Sequence, residues 1–247
     1  MGNLVKSELY KLRKDRTLWT LIVILMASAI FYPVLIFFDN GANSATVNDF
    51  YIGTALSGND YIVKLVPCIL AGFFISSEYS NGTMKSIGAS GNNRIRIYFA
   101  KLLAFSIGAV IISLVFPLVI LAASTILFGA HDLPALDYVI QTMGLTILYA
   151  AAFASIMSLF SIIFSDSGKT IGFLLIFFLL FDSILYLLSK EFAFVEAVFN
   201  YSVFKLFLDI KADLSNGAFL KILLVPVITW MVFGFLGSFI FQKKEIK

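Results

Sequence analysis

The segment Glu78-Tyr79-Ser80-Asn81-Gly82-Thr83-Met84-Lys85 is strongly polar, and it separates two long apolar runs of the chain. Three basic residues, Arg94, Arg96 and Lys101, follow it as the second run begins. Polar groups of this kind are costly inside a hydrocarbon layer, because nothing there hydrogen-bonds to them. The pattern predicts two membrane-spanning helices joined by a connection that projects out of the bilayer.

The composition of the whole chain indicates the same class. Hydrophobic residues make up 60% of the 247 residues and charged residues 13%, with a mean hydropathy of +0.95. Soluble domains carry roughly a quarter charged residues, and a helix needs about 20 apolar residues to cross the hydrocarbon core. The sequence predicts an all-α polytopic membrane protein with six spanning helices. The six apolar runs are Leu18–Phe38, Tyr61–Ser77, Tyr98–Phe128, Tyr138–Phe164, Gly168–Leu188 and Phe219–Phe241.

The distribution of Lys and Arg predicts the orientation, since short basic loops stay on the cytoplasmic side. Basic residues are concentrated before the first run, in the 78–97 connection and in the C-terminal tail. The connections Asp39–Asp60 and Gly129–Asp137 contain neither Lys nor Arg. Both termini are therefore expected to be cytoplasmic, and parity places the connection Ser189–Ala218 outside. The inside loops account for the net charge of +3, so the charge does not indicate nucleic-acid binding.

Residues 1–17 are predicted to form an amphipathic helix on the cytoplasmic membrane surface. Glu8 interrupts its apolar face, with Lys11 three residues later as a possible partner. A topology anchor and a protein-docking helix both stay open as roles. The apolar positions that share one helical face are Leu4, Val5, Leu9 and Leu12.

The connection 189–218 is also amphipathic, and it is expected to form a small extracellular subdomain. Its apolar residues are too closely spaced for a fully solvated loop. Two short helices, broken around Asn200, are expected to dip into the outer interface. Closing the outer end of the helical bundle is favoured over a substrate site as their role.

Two ionisable residues fall inside apolar runs, where a charge calls for a partner. Asp182 lies about 14 residues past Gly168, which is about 21 Å along a helix. Lys64 is near the outer end of the second run, where its stem could reach water. A Lys64–Asp182 pair within the membrane is therefore a hypothesis for the structure to test.

Signatures of two catalytic classes occur in incomplete form. Gly88-Ala89-Ser90-Gly91 fits the GxSG pattern of rhomboid-type proteases, but the single histidine, His131, is expected on the opposite side of the membrane, beyond reach of Ser90. Gly168-Lys169-Thr170 matches the end of a P-loop, yet Ile163 holds the position of its first glycine. One cysteine and one histidine are too few for a zinc site. No catalytic residue, cofactor or metal is expected in this chain.

The run Phe74–Lys85, continuing through Arg94 to Lys101, resembles the signature after the second span of ABC-2 type exporter permeases. That signature is an acidic–aromatic pair, a Gly-Thr, then an Arg and a Lys entering the third span. The opening Ser7–Arg13 is similar to the surface helix at the start of the same family. The resemblance covers essentially the whole chain. It implies a coupling helix at about residues 78–90, engaged by a separate subunit that binds ATP and Mg.

The resemblance also implies which residues serve that coupling. Gly82 would permit a tight turn, and Met84 would supply an adaptable apolar contact. The coupling residues are Glu78, Tyr79, Asn81, Gly82, Thr83, Met84 and Lys85, and the surface-helix cradle is Glu8, Lys11 and Leu12.

The members that this chain most resembles are small permeases of bacitracin resistance, lantibiotic immunity and phenol-soluble modulin export. The chain is thus expected in a bacterial plasma membrane, as a homo- or heterodimer with an ATP-binding subunit, exporting amphipathic peptides. The main alternative is an ion-gradient-driven carrier or channel, for which Lys64 and Asp182 supply few polar groups. Rhomboid-like proteolysis is a distant third.

Overall fold

The computed structural model describes residues 2–40, 45–89, 91–130, 132–211 and 216–244. Nearly all of this backbone is helical, and the described residues contain no strand. Two stretches of π-helix, π1 (Phe50–Ala55) and π2 (Gly72–Ser76), interrupt the α-helices. The α-helices are α1 Gly2–Lys14, α2 Arg16–Asn40, α3 Val47–Asp49, α4 Leu56–Ala71, α5 Ser77–Ser80, α6 Thr83–Ala89, α7 Arg94–Phe128, α8 Leu136–Phe164, α9 Ser167–Glu191, α10 Ala193–Asn200, α11 Val203–Leu208 and α12 Asn216–Lys243, with a 3₁₀ turn at Asp209–Lys211.

Within the described residues, six helical stretches are long and apolar enough to cross a membrane, which confirms the predicted fold class. The additional elements also match: α1 precedes the first span, α6 lies between spans two and three, and α10 and α11 lie between spans five and six. The spans are Arg16–Asp39, Val47–Ser80, Arg94–Phe128, Leu136–Phe164, Ser167–Glu191 and Phe219–Lys243.

The second span begins well before Tyr61, where the apolar run predicted its start. The chain is continuously helical from Val47 through α3, π1 and α4, so most of the predicted Asp39–Asp60 loop is helix. Tertiary packing stabilises this polar extension, because Tyr51 Oη lies 2.6 Å from Thr142 Oγ1. The Phe50 ring also packs on Phe128 with ring centroids 4.9 Å apart. Hydropathy depends on the local sequence and does not include these tertiary contacts, so the apolar run predicted a later start for the span.

The second and fourth spans form the centre of the bundle. In the fourth span 67% of the most apolar window is buried, against 11% in the fifth and 17% in the sixth. Small residues such as Ala150, Ala154 and Ser158 face the neighbours of α8, so helices approach closely there. The Phe153 ring meets Phe204 of α11 at a centroid distance of 5.5 Å. The α11 segment therefore packs into one end of the core.

One end of the bundle can be identified because residues near both described chain termini contact the first turns of α7 there. Arg94, at the start of α7, donates a hydrogen bond to the carbonyl of Lys244 at 2.8 Å. Lys101 of α7 pairs with Glu8 of α1 at 2.8 Å. Both described termini thus lie at one end, here called the terminal end, together with the α5–α6 connection. The α10–α11 segment lies at the other, called the distal end.

Helix α1 packs against the bundle along one face. Leu12 is 3% exposed, and a Cβ on Gly108 of α7 would come within 3.0 Å of it. The absence of a side chain at Gly108 therefore lets α1 approach α7 closely. Asp15 ends α1 and caps α2, since its carboxylate accepts the backbone N–H of Thr17 at 2.7 Å. Helix α1 thus contacts the core through Leu12, while most of its residues stay at least partly exposed, and its place on the membrane surface remains a prediction.

Candidate functional site: a buried charge ring

Four charged side chains from three helices meet at the terminal end. Lys101 Nζ lies 2.8 Å from Glu8 Oε1 and also contacts Glu78 Oε2. Lys11 Nζ contacts Glu78 Oε1 and lies 3.5 Å from Glu8 Oε2. Each lysine therefore stands between both glutamates, and the four form a closed arrangement, here called the charge ring. It joins α1, α5 and α7.

The charge ring is largely shielded from solvent. Glu8 is 8% exposed, Glu78 6% and Lys101 3%. Two carboxylates and two ammonium groups balance in charge, which is the condition under which buried charges are tolerated. Removal of Glu8, Glu78 or Lys101 leaves a buried charge without compensation, at a typical cost of about 3–5 kcal/mol, whereas the Lys11 side chain is 37% exposed. The ring thus holds α1, α5 and α7 in one arrangement.

Lys11 extends the ring toward the second span. Its ammonium donates to the Phe74 carbonyl at 3.4 Å and lies 4.4 Å from the centroid of the Phe74 ring. Burial, with Lys101 nearby, lowers the pKa of Lys11 to about 8 in spite of the opposing effect of Glu8. Because Phe74 belongs to π2, the hydrogen bond from Lys11 connects the charge ring directly to a π-helical stretch.

The π2 stretch is fixed against two other spans. A Cβ on Gly72 would overlap the Ile171 side chain and would lie 3.0 Å from the Ser167 carbonyl, so this position accommodates no side chain without a shift. Ser76 Oγ donates to the Ser161 carbonyl at 3.0 Å and lies 2.8 Å from Thr170 Oγ1. Single π-turns in helices occur frequently at functional sites. Here π2 connects the charge ring to α8 and α9.

Immediately after Glu78 the chain makes the predicted tight turn. Gly82 has a φ of +70°, a region that favours glycine, and its N–H bonds to the Tyr79 carbonyl at 3.1 Å. Thr83 Oγ1 donates to the Glu78 carbonyl at 3.2 Å, which ties the start of α6 back to the ring. Met84 is 1% exposed and anchors α6 in the core.

The predicted coupling residues thus divide into two groups. Glu78 and Met84 are buried and Tyr79 is half-buried, so in this conformation Glu78 and Met84 position the turn and cannot themselves touch a partner. Within the cradle Glu8 and Leu12 are buried, and Lys11 is half-buried. Among the predicted coupling residues, the exposed side chains that a partner could touch are those of Asn81, Thr83 and Lys85, beside the exposed backbone of Gly82.

A cavity of about 460 Å³ lies between α1, α6 and α7. The charge ring contributes Glu8, Lys11 and Glu78 to its wall, and Leu4 and Ile97 contribute apolar surface. A change in the distance between α1 and α6 would alter this cavity and the ring together.

The C-terminal end of α12 is attached to the same region. Arg94 Nη1 donates to the carbonyls of Gln242 at 3.1 Å and Lys244 at 2.8 Å. Lys244 Nζ contacts Ser165 Oγ and lies 3.2 Å from the Ile163 carbonyl. Its ammonium is also 4.8 Å from the centroid of the Tyr79 ring. The C-terminal end of the sixth span therefore contacts α5, α7 and the end of α8.

The structure brings Lys64 and Asp182 together, with Lys64 Nζ 3.4 Å from Asp182 Oδ2. It adds a second carboxylate, because Lys64 Nζ lies 2.8 Å from Asp60 Oδ1. Lys64 is 4% exposed, so it does not extend to water as its position in the apolar run suggested. The reason is the early start of the second span, which places Lys64 about midway between Val47 and Ser80.

Sequence reasoning placed Lys101 only in the family signature and assigned Asp60 to a loop. A signal for Lys101 existed, since it is an ionisable residue within the third apolar run, and such residues need partners. Its partner Glu8 lies 93 positions away, and no local spacing indicates that pairing. Ser90 and His131, considered for proteolysis, lie outside the described residues. In the described part of the chain, no three His, Cys, Asp or Glu side chains group as a metal site.

Comparison with known proteins agrees with this architecture. A search of curated proteins found no match. The sequence model of the family described as "ABC-2 family transporter protein" matches residues 4–183, nearly three quarters of the chain. The matched region includes α1, the charge ring and the α5–α6 turn. The chain therefore belongs to the ABC-2 family of transporter proteins.

Proposed function

We propose that this chain is the permease subunit of an ATP-driven exporter in a bacterial plasma membrane. Both termini and the α5–α6 turn face the cytoplasm, where a separate subunit binds ATP and Mg. The turn and α6 act as the coupling helix, at about residues 78–90. The 189–218 segment, of which residues 212–215 lie outside the described structure, forms an extracellular subdomain. The positive-inside distribution of Lys and Arg supports this orientation.

The observation that carries the proposal is the charge ring beneath the exposed turn. A partner that pushes on Asn81, Thr83 or Lys85 acts on a segment whose base, Glu78, is held by ion pairs to α1 and α7. The force therefore reaches two further helices at once. A polar loop that served only topology would need no such buried attachment.

The ATP-binding subunit drives the permease by binding one of its conformations more tightly than the other. The ATP-binding subunit needs to bind two arrangements of the α5–α6 turn with unequal strength, since a ligand shifts a conformational equilibrium only by that difference. The charge ring and π2 are the bonded elements through which such a shift reaches α7, α8 and α9.

The test is ATP turnover by the permease purified with the ATP-binding subunit that accompanies it. Glu78→Gln keeps the shape of the side chain and removes its charge, so Lys11 and Lys101 lose the negative charge that they share. We expect the complex to assemble while cargo-stimulated ATP turnover falls about tenfold or more, which corresponds to about 1.4 kcal/mol of lost coupling. Glu196→Gln, an exposed glutamate on α10, is the matched control. Equal turnover in both variants would refute the proposal.

The cargo we propose is an amphipathic peptide, by resemblance to small permeases of bacitracin resistance, lantibiotic immunity and modulin export. A second permease copy or a close relative completes the pathway. Export of a dye-labelled amphipathic peptide from cells, with and without the permease, tests this choice.

One observation favours an ion-gradient-driven carrier as a second candidate. Asp60, Lys64 and Asp182 form an ionic cluster inside the bundle, and such clusters mark ion routes in carriers. The two mechanisms differ in their energy source. Transport that stops when a protonophore collapses the gradient, and that persists without the ATP-binding subunit, would establish the carrier instead.

A further inference from the structure

The ionic cluster of Asp60, Lys64 and Asp182, here called the distal cluster, is unbalanced in charge. Lys64 Nζ lies 2.8 Å from Asp60 Oδ1 and 3.4 Å from Asp182 Oδ2. Two carboxylates therefore share one ammonium group. The charge ring, by contrast, has equal numbers of each sign. A buried cluster with a net negative charge has unused capacity for a cation.

The weaker of the two ion pairs leaves Asp182 available. Its distance of 3.4 Å from Lys64 exceeds that of a typical charge-assisted hydrogen bond, about 2.7–2.9 Å. The Asp182 side chain is 24% exposed, against 12% for Asp60. Among the described residues, Asp182 forms one ion pair, and its partner is Lys64. An incoming ammonium group can therefore pair with Asp182 while Lys64 keeps Asp60.

Two cavities meet at Asp182, which is a second and independent observation. One, of about 240 Å³, is lined by the whole distal cluster together with Phe178 and Ser183. The other, of about 320 Å³, is bounded by Asp182, Tyr186, Phe199 and Lys205. The Lys205 ammonium is already paired with Asp209 at 2.5 Å, so it does not neutralise Asp182. The carboxylate thus projects between spaces whose walls combine aromatic surface with a few polar groups. That combination suits an ammonium group carried on an apolar stem.

We propose that the distal cluster binds the ammonium group of an amphipathic ligand, with Asp182 as its acceptor. The ligand's apolar stem lies against Phe178 or against Tyr186 and Phe199. This inference rests on the proposed export function and names the chemistry of its cargo. The ammonium group belongs either to a cationic amphiphile such as a lysine-containing peptide or to an aminolipid headgroup.

Binding of dodecylammonium to the purified chain tests the proposal, with dodecanol as the uncharged comparison. The chain is placed in nanodiscs of phosphatidylcholine and phosphatidylglycerol, which contain no primary amine. We expect wild type to bind dodecylammonium at least about tenfold more tightly than dodecanol, the ratio that one charged hydrogen bond supports. Asp182→Asn should abolish the preference, and Asp137→Asn, an exposed aspartate at the same end, should retain it.

A further variant separates a ligand site from an ion cluster that serves folding alone. Lys64→Gln removes the resident cation, so dodecylammonium should bind more tightly and should raise the melting temperature of this variant more than that of wild type. Equal affinities for dodecylammonium and dodecanol in wild type, or an unchanged preference in Asp182→Asn, would overturn the site.

Nanodiscs that contain phosphatidylethanolamine identify the source of the ammonium group. If the lipid headgroup occupies the site, this lipid weakens dodecylammonium binding to wild type and leaves Asp182→Asn unaffected. If it has no effect, the site takes a ligand other than the lipid headgroup. These measurements need no ATP-binding subunit, so a failure here is distinguishable from a failure of the coupling proposal.

Discussion

Replacement of Lys101 by Met should destabilise the protein through the charge ring. Lys101 is 3% exposed and serves both Glu8 and Glu78. Without it, two buried carboxylates share Lys11, and we expect the free energy of unfolding to fall by about 3–5 kcal/mol, the usual cost of breaking a buried pair. Methionine preserves most of the side-chain volume, so a cavity contributes little to this loss.

A second substitution distinguishes charge from packing. Glu8→Gln added to Lys101→Met removes one charge of each sign and leaves the Glu78–Lys11 pair intact. The free energy of unfolding that the double variant loses should be smaller than the sum of the losses of the two single variants. The difference, which is the interaction free energy, should be about 0.5–3 kcal/mol. Additive losses would show that the four charges do not act as a unit.

The measurement is unfolding of the purified chain in mixed micelles by increasing SDS, followed by tryptophan fluorescence. Lys205→Met is the matched control, because Lys205 pairs with Asp209 at 2.5 Å while both side chains are more than 30% exposed. Exposed pairs contribute about 0–1 kcal/mol. A loss for Lys101→Met no larger than that of this control would refute the reasoning.

Three further predictions concern the same region. Above pH 8, Lys11 loses its proton and the charge ring becomes negative, so cargo-stimulated ATP turnover should decline through about pH 8–9. Between pH 8 and the ordinary lysine pKa of 10.5, the unfolded chain binds more protons at Lys11 than the folded chain does. The contribution of Lys11 to the free energy of unfolding therefore rises with pH between those two values. Lys11→Arg stays charged and should remove the decline in a pH–rate profile, and an unchanged profile would count against the ring. Gly82→Ala forces a side chain into a positive φ and should cost about 1 kcal/mol in the SDS titration, whereas a neutral result would mean that the turn is not held. Gly72→Ala would bring a Cβ within 3.0 Å of the Ser167 carbonyl and should lower the melting temperature more than Gly53→Ala, which meets nothing within 4 Å; equal melting temperatures would contradict the close packing of π2.

Much of the fold could be predicted because it depends on local composition. Apolar runs of sufficient length give six spans, and the polar segment after Glu78 gives the connection with its turn at Gly82. The break between α10 and α11 falls after Asn200, as the amphipathic pattern indicated. The start of the second span could not be predicted, because residues from Val47 onward are helical through packing with α7 and α8, which hydropathy does not measure.

The candidate site was predicted in its position and only partly in its chemistry. Resemblance pointed to Glu78 and to Glu8, but their burial and mutual arrangement around Lys101 were not visible in the sequence. Glu8 appeared only as an interruption of an apolar helical face. The pairing of Lys64 with Asp182 followed from the need for a partner, whereas Asp60 was hidden in a presumed loop.

The sequence by itself determined that this protein crosses a membrane six times, because a helix of about 20 apolar residues satisfies its own backbone in hydrocarbon without help from the rest of the chain. Tertiary structure decided which charges meet. Glu8, Glu78 and Lys101 lie on three different helices, and a buried charge is tolerated only where packing brings its counter-charge within a few ångströms.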